Sequence, residues 1–215
     1  MAAPLLLAEE IILLSLDDAT GRPVGRQGMA PDLALAGALL MDLALAGRID
    51  TDRDRLWVAD DTPTWDVVLD GALADLADPA APRDARGAIM LLARDAGEVR
   101  DRLMERLVDS GRLRRVQDHV LWFFTDRRHP KPEGRDDAAR ARDRLRILLL
   151  AEEIPEPRDA LLLGLARAAG LLPLIFSAEE LARVQGWLGL VTRIESLNRS
   201  LAVAVADVRA GRGAG

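Results

Sequence analysis

Guanidinium and carboxylate groups supply nearly all the reactive side chains in this sequence. It has no cysteine, two histidines (His119 and His129), and 29 Lys and Arg residues, among which Lys131 is the one lysine. Arginine offers a planar fork of donors that fits carboxylates and phosphates, but it stays protonated and cannot act as a base near neutral pH. The histidines do not have the spacing of a zinc-binding HExxH helix. No GxSxG elbow and no Gly-Lys-Ser/Thr phosphate loop occurs. Glu9-Glu10, Asp17-Asp18, Asp136-Asp137 and Glu152-Glu153 are adjacent pairs, which point apart on a helix and read as solvated edges. No catalytic residue, metal or cofactor is therefore expected, and the chain does not read as an enzyme.

Anion capture is the chemistry the pattern supports best. On the predicted helix around Val99–Val108, Arg102 has Glu98 four residues before it and Arg106 has Asp109 three residues after it, so both have local partners. Arg100 has Ala96, Gly97, Leu103 and Met104 at those positions and no carboxylate on its own helix face. It is either a phosphate ligand or a surface arginine paired through tertiary contacts. A second candidate wall is the loop Asp17–Met29, DDATGRPVGRQGM, with Arg22 and Arg26 between its glycines. It fits neither GxGxxG nor a Walker pattern and reads first as a plain loop.

The stretch Val99–Pro130 concentrates positive charge. It carries eight Arg against five carboxylates, a difference of +3, in a chain of formal net charge -6. A helix, a stop at Gly111 and two short strands, Leu113–Gln117 and Val120–Thr125, are predicted here, with Gln117-Asp118-His119 near the tip. Alternation places Val120, Trp122 and Phe124 on one face of the second strand and Leu121 and Phe123 on the other. Trp122 flanked by Arg114, Arg115, Arg127 and Arg128 fits an interfacial anchor that favours anionic lipid, or a self-association surface.

The surrounding elements read as mainly α: a single globular helical domain over residues 1–210 with small β-hairpins, and a flexible tail at 211–215. Helices are predicted at Leu5–Leu16, from Pro31 to Gly47, at Trp65–Leu76, Ala85–Arg94, from Asp136 to Glu153, at Arg158–Ala169, Ala178–Leu188 and Val191–Val208. A hairpin is predicted at Arg48–Val58. A helix–glycine–hairpin unit occurs twice, Leu43-Gly47-Arg48-Ile49 matching Leu107-Gly111-Arg112-Leu113 at an offset of 64 positions. The apolar runs are too short to span a bilayer, and Glu9 and Glu10 break the N-terminal one, so no membrane span or export signal is expected; with no cysteine, a cytoplasmic location is expected. Arginine in place of lysine and heavy alanine use fit a GC-rich bacterial coding sequence.

Four blocks in order, LLLAEEIILLSLDDATG, LAGALLMDLALAGRI, PTWDVVLDGAL and VRDRLMERLVDSGRL with its hairpin and His129-Pro130, resemble the Golgi phosphoprotein three family. The resemblance implies a non-enzymatic, mainly helical peripheral membrane protein that recognises phosphatidylinositol 4-phosphate and uses a hairpin for membrane contact and self-association. The family pocket has a tryptophan and an arginine around the second helix and two arginines three apart on a later helix. Arg100 matches the second of that pair, with Gly97 in its partner's place. Ala36 stands at the second-helix arginine and Gln27 at the tryptophan, with Arg22 and Arg26 as nearby substitutes. The implied partners are an anionic phospholipid of the phosphatidylinositol 4-phosphate type, a second copy of the chain and an unidentified client protein. Two other readings compete. One is a protein-binding, oligomerising scaffold without lipid. The other is a winged-helix nucleic-acid binder, disfavoured by the acidic total and the apolar Leu39–Leu45.

Overall fold

All eight residues of helix α1, Leu7–Leu14, are buried, Glu9 and Glu10 included, and the other helices are arranged around it. The computed structural model describes residues 4–17, 22–24, 29–52, 55–113, 116–118, 126–128 and 137–191. After α1 come α2 (Ala30–Leu45), a hairpin of β1 (Ile49–Thr51) and β2 (Leu56–Val58), then α3 (Val67–Ala77) and α4 (Ala85–Leu92). A 3-10 turn over Ala93–Asp95 leads into α5 (Ala96–Asp109) and a second hairpin, β3 (Val116–Asp118) with β4 (Asp126–Arg128). The chain continues through α6 (Asp137–Leu150), α7 (Pro157–Ala168), the single turn α8 (Leu172–Ile175) and helical residues 178–191. The fold is mainly α.

Two helices carry the packing. α1 touches α2, α5, α6 and α7, while α2 touches α3, α4, α5 and α7 as well. The reason is compositional: α2 is apolar on nearly every side, from Leu35 to Leu43, and a helix without a polar face has to be enclosed. Gly37 marks its closest approach, since a Cβ there would lie 3.3 Å from Leu165 Cδ2 of α7. α2 is thus committed to the core, which leaves it no face with which to read bases. One continuous cluster of buried side chains joins all these helices, extending to Val184, Leu188 and Val191 at helical spacing in 178–191.

Helix ends follow local chemistry. Asp66 accepts from the amides of Val68 and Leu69 at 3.0 and 3.2 Å and starts α3, and Asp84 accepts from Gly87 at 2.9 Å and starts α4. The repeated helix–glycine unit is real at the stops. Gly47 and Gly111 have φ of +69° and +70°, and in each case the following arginine amide reaches back to the carbonyl five residues earlier, Arg48 to Leu43 and Arg112 to Leu107. The repeat diverges in the strands. β1 and β2 form the hairpin expected over Arg48–Val58, antiparallel with Ile49 opposite Val58. In the second hairpin the paired residues are Val116 with Arg128, Gln117 with Arg127 and Asp118 with Asp126. Among the described residues the ladder includes Val116 and Gln117 of the expected Leu113–Gln117, while the expected second strand, 120–125, lies outside them. Leu113 instead turns inward and is 1% exposed. Polar Asp126–Arg128, which was not expected in a strand, pairs with β3, and the apolar run 120–125 lies outside the described residues.

Trp65 is the other departure. It was expected to open the third helix, but it precedes Asp66 in a left-handed conformation, φ +66°, and is 92% exposed. Thr64 on one side, bonded through its amide to Asp70 at 2.6 Å, and the Asp66 cap on the other hold that turn in place.

Candidate functional site

Arg100 lies on α5 where that helix passes the start of α2. Its Nη2 donates to Oδ1 of Asp32, in the first turn of α2, and both side chains are about one-third exposed, at 37% and 36%. The expectation of no local carboxylate holds along α5, yet the partner arrives from 68 residues away in sequence. The helix N-terminus accounts for the acid, since a carboxylate there is favoured by the unpaired amides of the first turn.

Beside this pair is a shallow groove of about 30 Å³ lined by Ile11, Ser15, Val24, Pro31, Leu35 and Arg100, among others. The chain after α1 folds back to build one wall: Val24 donates to the Ser15 carbonyl at 2.7 Å, and Asp17 donates to the Arg22 carbonyl at 2.9 Å. The loop and Arg100 thus meet at one groove, through Val24, and exposed Arg22 stands two residues from that wall. Arg26 and Gln27 lie outside the described residues, as do Arg114, Arg115, Val120, Leu121, Trp122, Phe123 and both histidines. Ala36 is 1% exposed, so the second-helix position where the resemblance expects an arginine is inside the core. Gly97 is on the surface, and a Cβ there would meet nothing within 4 Å.

The larger surprise is on α1. Glu9 and Glu10 were expected as solvated edges. They are 7% and 5% exposed and anchor a network of ion pairs. Arg106 donates to Glu9 at 2.9 Å and also to Asp66, in place of the expected Asp109. Glu10 accepts from Arg144 and Arg158, each at 2.9 Å, and Arg144 also binds Asp159 at 2.8 Å. A buried carboxylate persists only when such partners satisfy it. Arg102 alone behaves as the helix spacing predicts, pairing with Glu98 at 2.5 Å.

Asp42 completes the frame. Its two oxygens accept from the amides of Leu7 and Ala8, at 2.9 and 3.1 Å, while Glu9 accepts from the Leu6 amide at 2.8 Å. Leu6 has no side chain able to cap α1, so a carboxylate from α2 does it across space. Burial pushes the Asp42 carboxyl up to about 6, with Glu10 adding to the rise and the two amides and Arg158 opposing it. Asp32 and Asp42 were both missed as site residues. Asp42 had a legible signal, a lone acid in the apolar run of α2, whereas Asp32 had none. Among the described residues no helix is long and apolar enough to cross a membrane. The order of these elements, the two glycine stops and the groove at α5 accompany a match over residues 7–209, nearly the whole chain, and the protein belongs to the Golgi phosphoprotein 3 (GPP34) family.

Proposed function

We propose that this protein is a peripheral membrane protein that binds anionic, phosphoinositide-type lipid headgroups at the rim of the α1–α2–α5 groove, with Arg100 as the principal ligand. The observation that carries the reading is the position of Arg100, a partly exposed guanidinium on the α5 turn that matches the family's paired-arginine position, facing a groove walled by the loop after α1. The groove has room for about one water, so the phosphate is held at its rim, with the lipid chains directed away from the protein. Arg22, Arg26 and Gln27 complete the rim in this reading. The apolar run Val120–Phe124, with Arg114 and Arg115, supplies membrane or self-association contact. Binding of phosphatidylinositol 4-phosphate in particular, and the absence of a catalytic step, belong to the same proposal.

The test is co-sedimentation of wild type and Arg100→Ala with neutral vesicles, phosphatidylserine vesicles and phosphatidylinositol 4-phosphate vesicles at two salt concentrations. Selective binding to the last of these, weakened about tenfold in the variant, is expected from loss of one charge-assisted phosphate contact. Salt-sensitive binding to every anionic vesicle, unchanged in Arg100→Ala, would move the site to the arginines of the second hairpin. No binding to any vesicle would leave the scaffold reading. That alternative has its own observation: exposed Val67, two residues after exposed Trp65, forms part of the wall of a second groove, of about 150 Å³, with Ala72, Leu92 and Val99.

A further inference from the structure

The Arg100–Asp32 pair is monodentate. One guanidinium nitrogen meets one carboxylate oxygen, so most of the donor fork of Arg100 is unused among the described residues. The pair is also partly exposed on both sides, the class of ion pair that contributes least and exchanges most readily. Asp32 cannot move far from the site, because it is fixed in the first turn of α2 beside Pro31, which lines the same groove. Any anion that reaches Arg100 therefore meets a carboxylate already there.

We propose that Asp32 is a specificity-determining residue: an internal anion that a phosphomonoester outcompetes and a phosphodiester does not. This rests on the headgroup reading of Arg100 above. A phosphomonoester carries about -1.5 to -2 charge at neutral pH and three acceptor oxygens, enough to take both arms of the guanidinium and outbid one carboxylate oxygen. The phosphodiester of an unphosphorylated lipid has a single negative charge shared by two oxygens. It offers Arg100 no more than Asp32 does and is repelled by Asp32 besides. Asp32 thereby sets a charge threshold at the rim, and discrimination arises from a repulsive element as much as from an attractive one.

The experiment compares wild type, Asp32→Asn, Asp32→Glu and Asp101→Asn on phosphatidylcholine vesicles containing either phosphatidylinositol or phosphatidylinositol 4-phosphate. Asp101 is an exposed neighbour on α5, so its variant removes the same charge without freeing Arg100. Asp32→Asn is expected to bind phosphatidylinositol vesicles about fivefold more tightly, while its affinity for the 4-phosphate rises less, so that the preference narrows. Asp32→Glu, which keeps the competing charge, retains the wild-type preference, and the gain disappears in Asp32→Asn combined with Arg100→Ala. Equal gains in Asp32→Asn and Asp101→Asn would reduce the effect to bulk charge and overturn the proposal, as would an unchanged preference in Asp32→Asn with Arg100-dependent binding intact. Absence of Arg100-dependent binding in wild type and Asp32→Asn alike would instead sink the headgroup reading itself. Thermal unfolding of each variant, matched to wild type, separates these results from misfolding.

Discussion

Gly97 and Asp42 show how much single residues decide around α5 and α1. Gly97 precedes Arg100 by three residues, at the position where the resemblance expects a second arginine, and a Cβ there would meet nothing within 4 Å. Gly97→Arg is therefore expected to fold and to tighten binding to phosphatidylinositol 4-phosphate vesicles about tenfold, the worth of one charge-assisted contact. Asp42 makes a pH prediction. Its carboxyl titrates at about 6 in the folded chain against an ordinary 3.8, because burial disfavours its charge. The folded state therefore holds a proton that the unfolded chain has already released, and stability falls as pH rises from about 4 to 6, by about 3 kcal/mol in all. Denaturant midpoints across that interval check it, and Asp42→Asn, which keeps the size and abolishes the titration, should flatten the slope.

At the level of elements, the packing of α4 against its own leader is tight enough to forbid a methyl group. A Cβ on Gly87 would sit 2.4 Å from the Pro82 Cβ, closer than real atoms allow. Gly87→Ala is expected to cost about 1–3 kcal/mol by overpacking, read as a lowered midpoint in urea unfolding, even though alanine is the better helix former. Sequence periodicity located α1, α2, α4 and α7 to within a few residues, and Gly47 and Gly111 announced their helix stops outright, because these features depend on neighbours in the chain. What escaped depended on partners distant in sequence. Glu9 and Glu10 look like an edge until Arg106, Arg144 and Arg158 arrive from three other helices. Arg100 looks unpaired until α2 brings Asp32 alongside. In the second hairpin Asp126–Arg128 was missed as a strand because it lacks the apolar alternation by which strands are read from sequence.

Across the whole molecule, arginine has two uses. Arg106, Arg144 and Arg158 are each shared between two carboxylates around α1, whereas Arg100, exposed to a similar degree, meets Asp32 alone among the described residues. Counting basic residues thus overstates the charge available to a membrane, and an acidic chain can still present a local anion site. The closure of α1 by Asp42 has a temporal side as well. The acid that completes its first turn lies 34 to 35 residues downstream, and the arginines that neutralise Glu10 lie 134 and 148 residues downstream. During synthesis α1 leaves the ribosome before the groups that secure it: Asp42 follows with α2, Arg106 with α5, and the arginines that neutralise Glu10 only with α6 and α7. The helix at the heart of the fold is thus secured in stages, its cap early and its second counter-ion pair late, and the nascent chain carries Glu10 without its arginine partners until α6 and α7 are made.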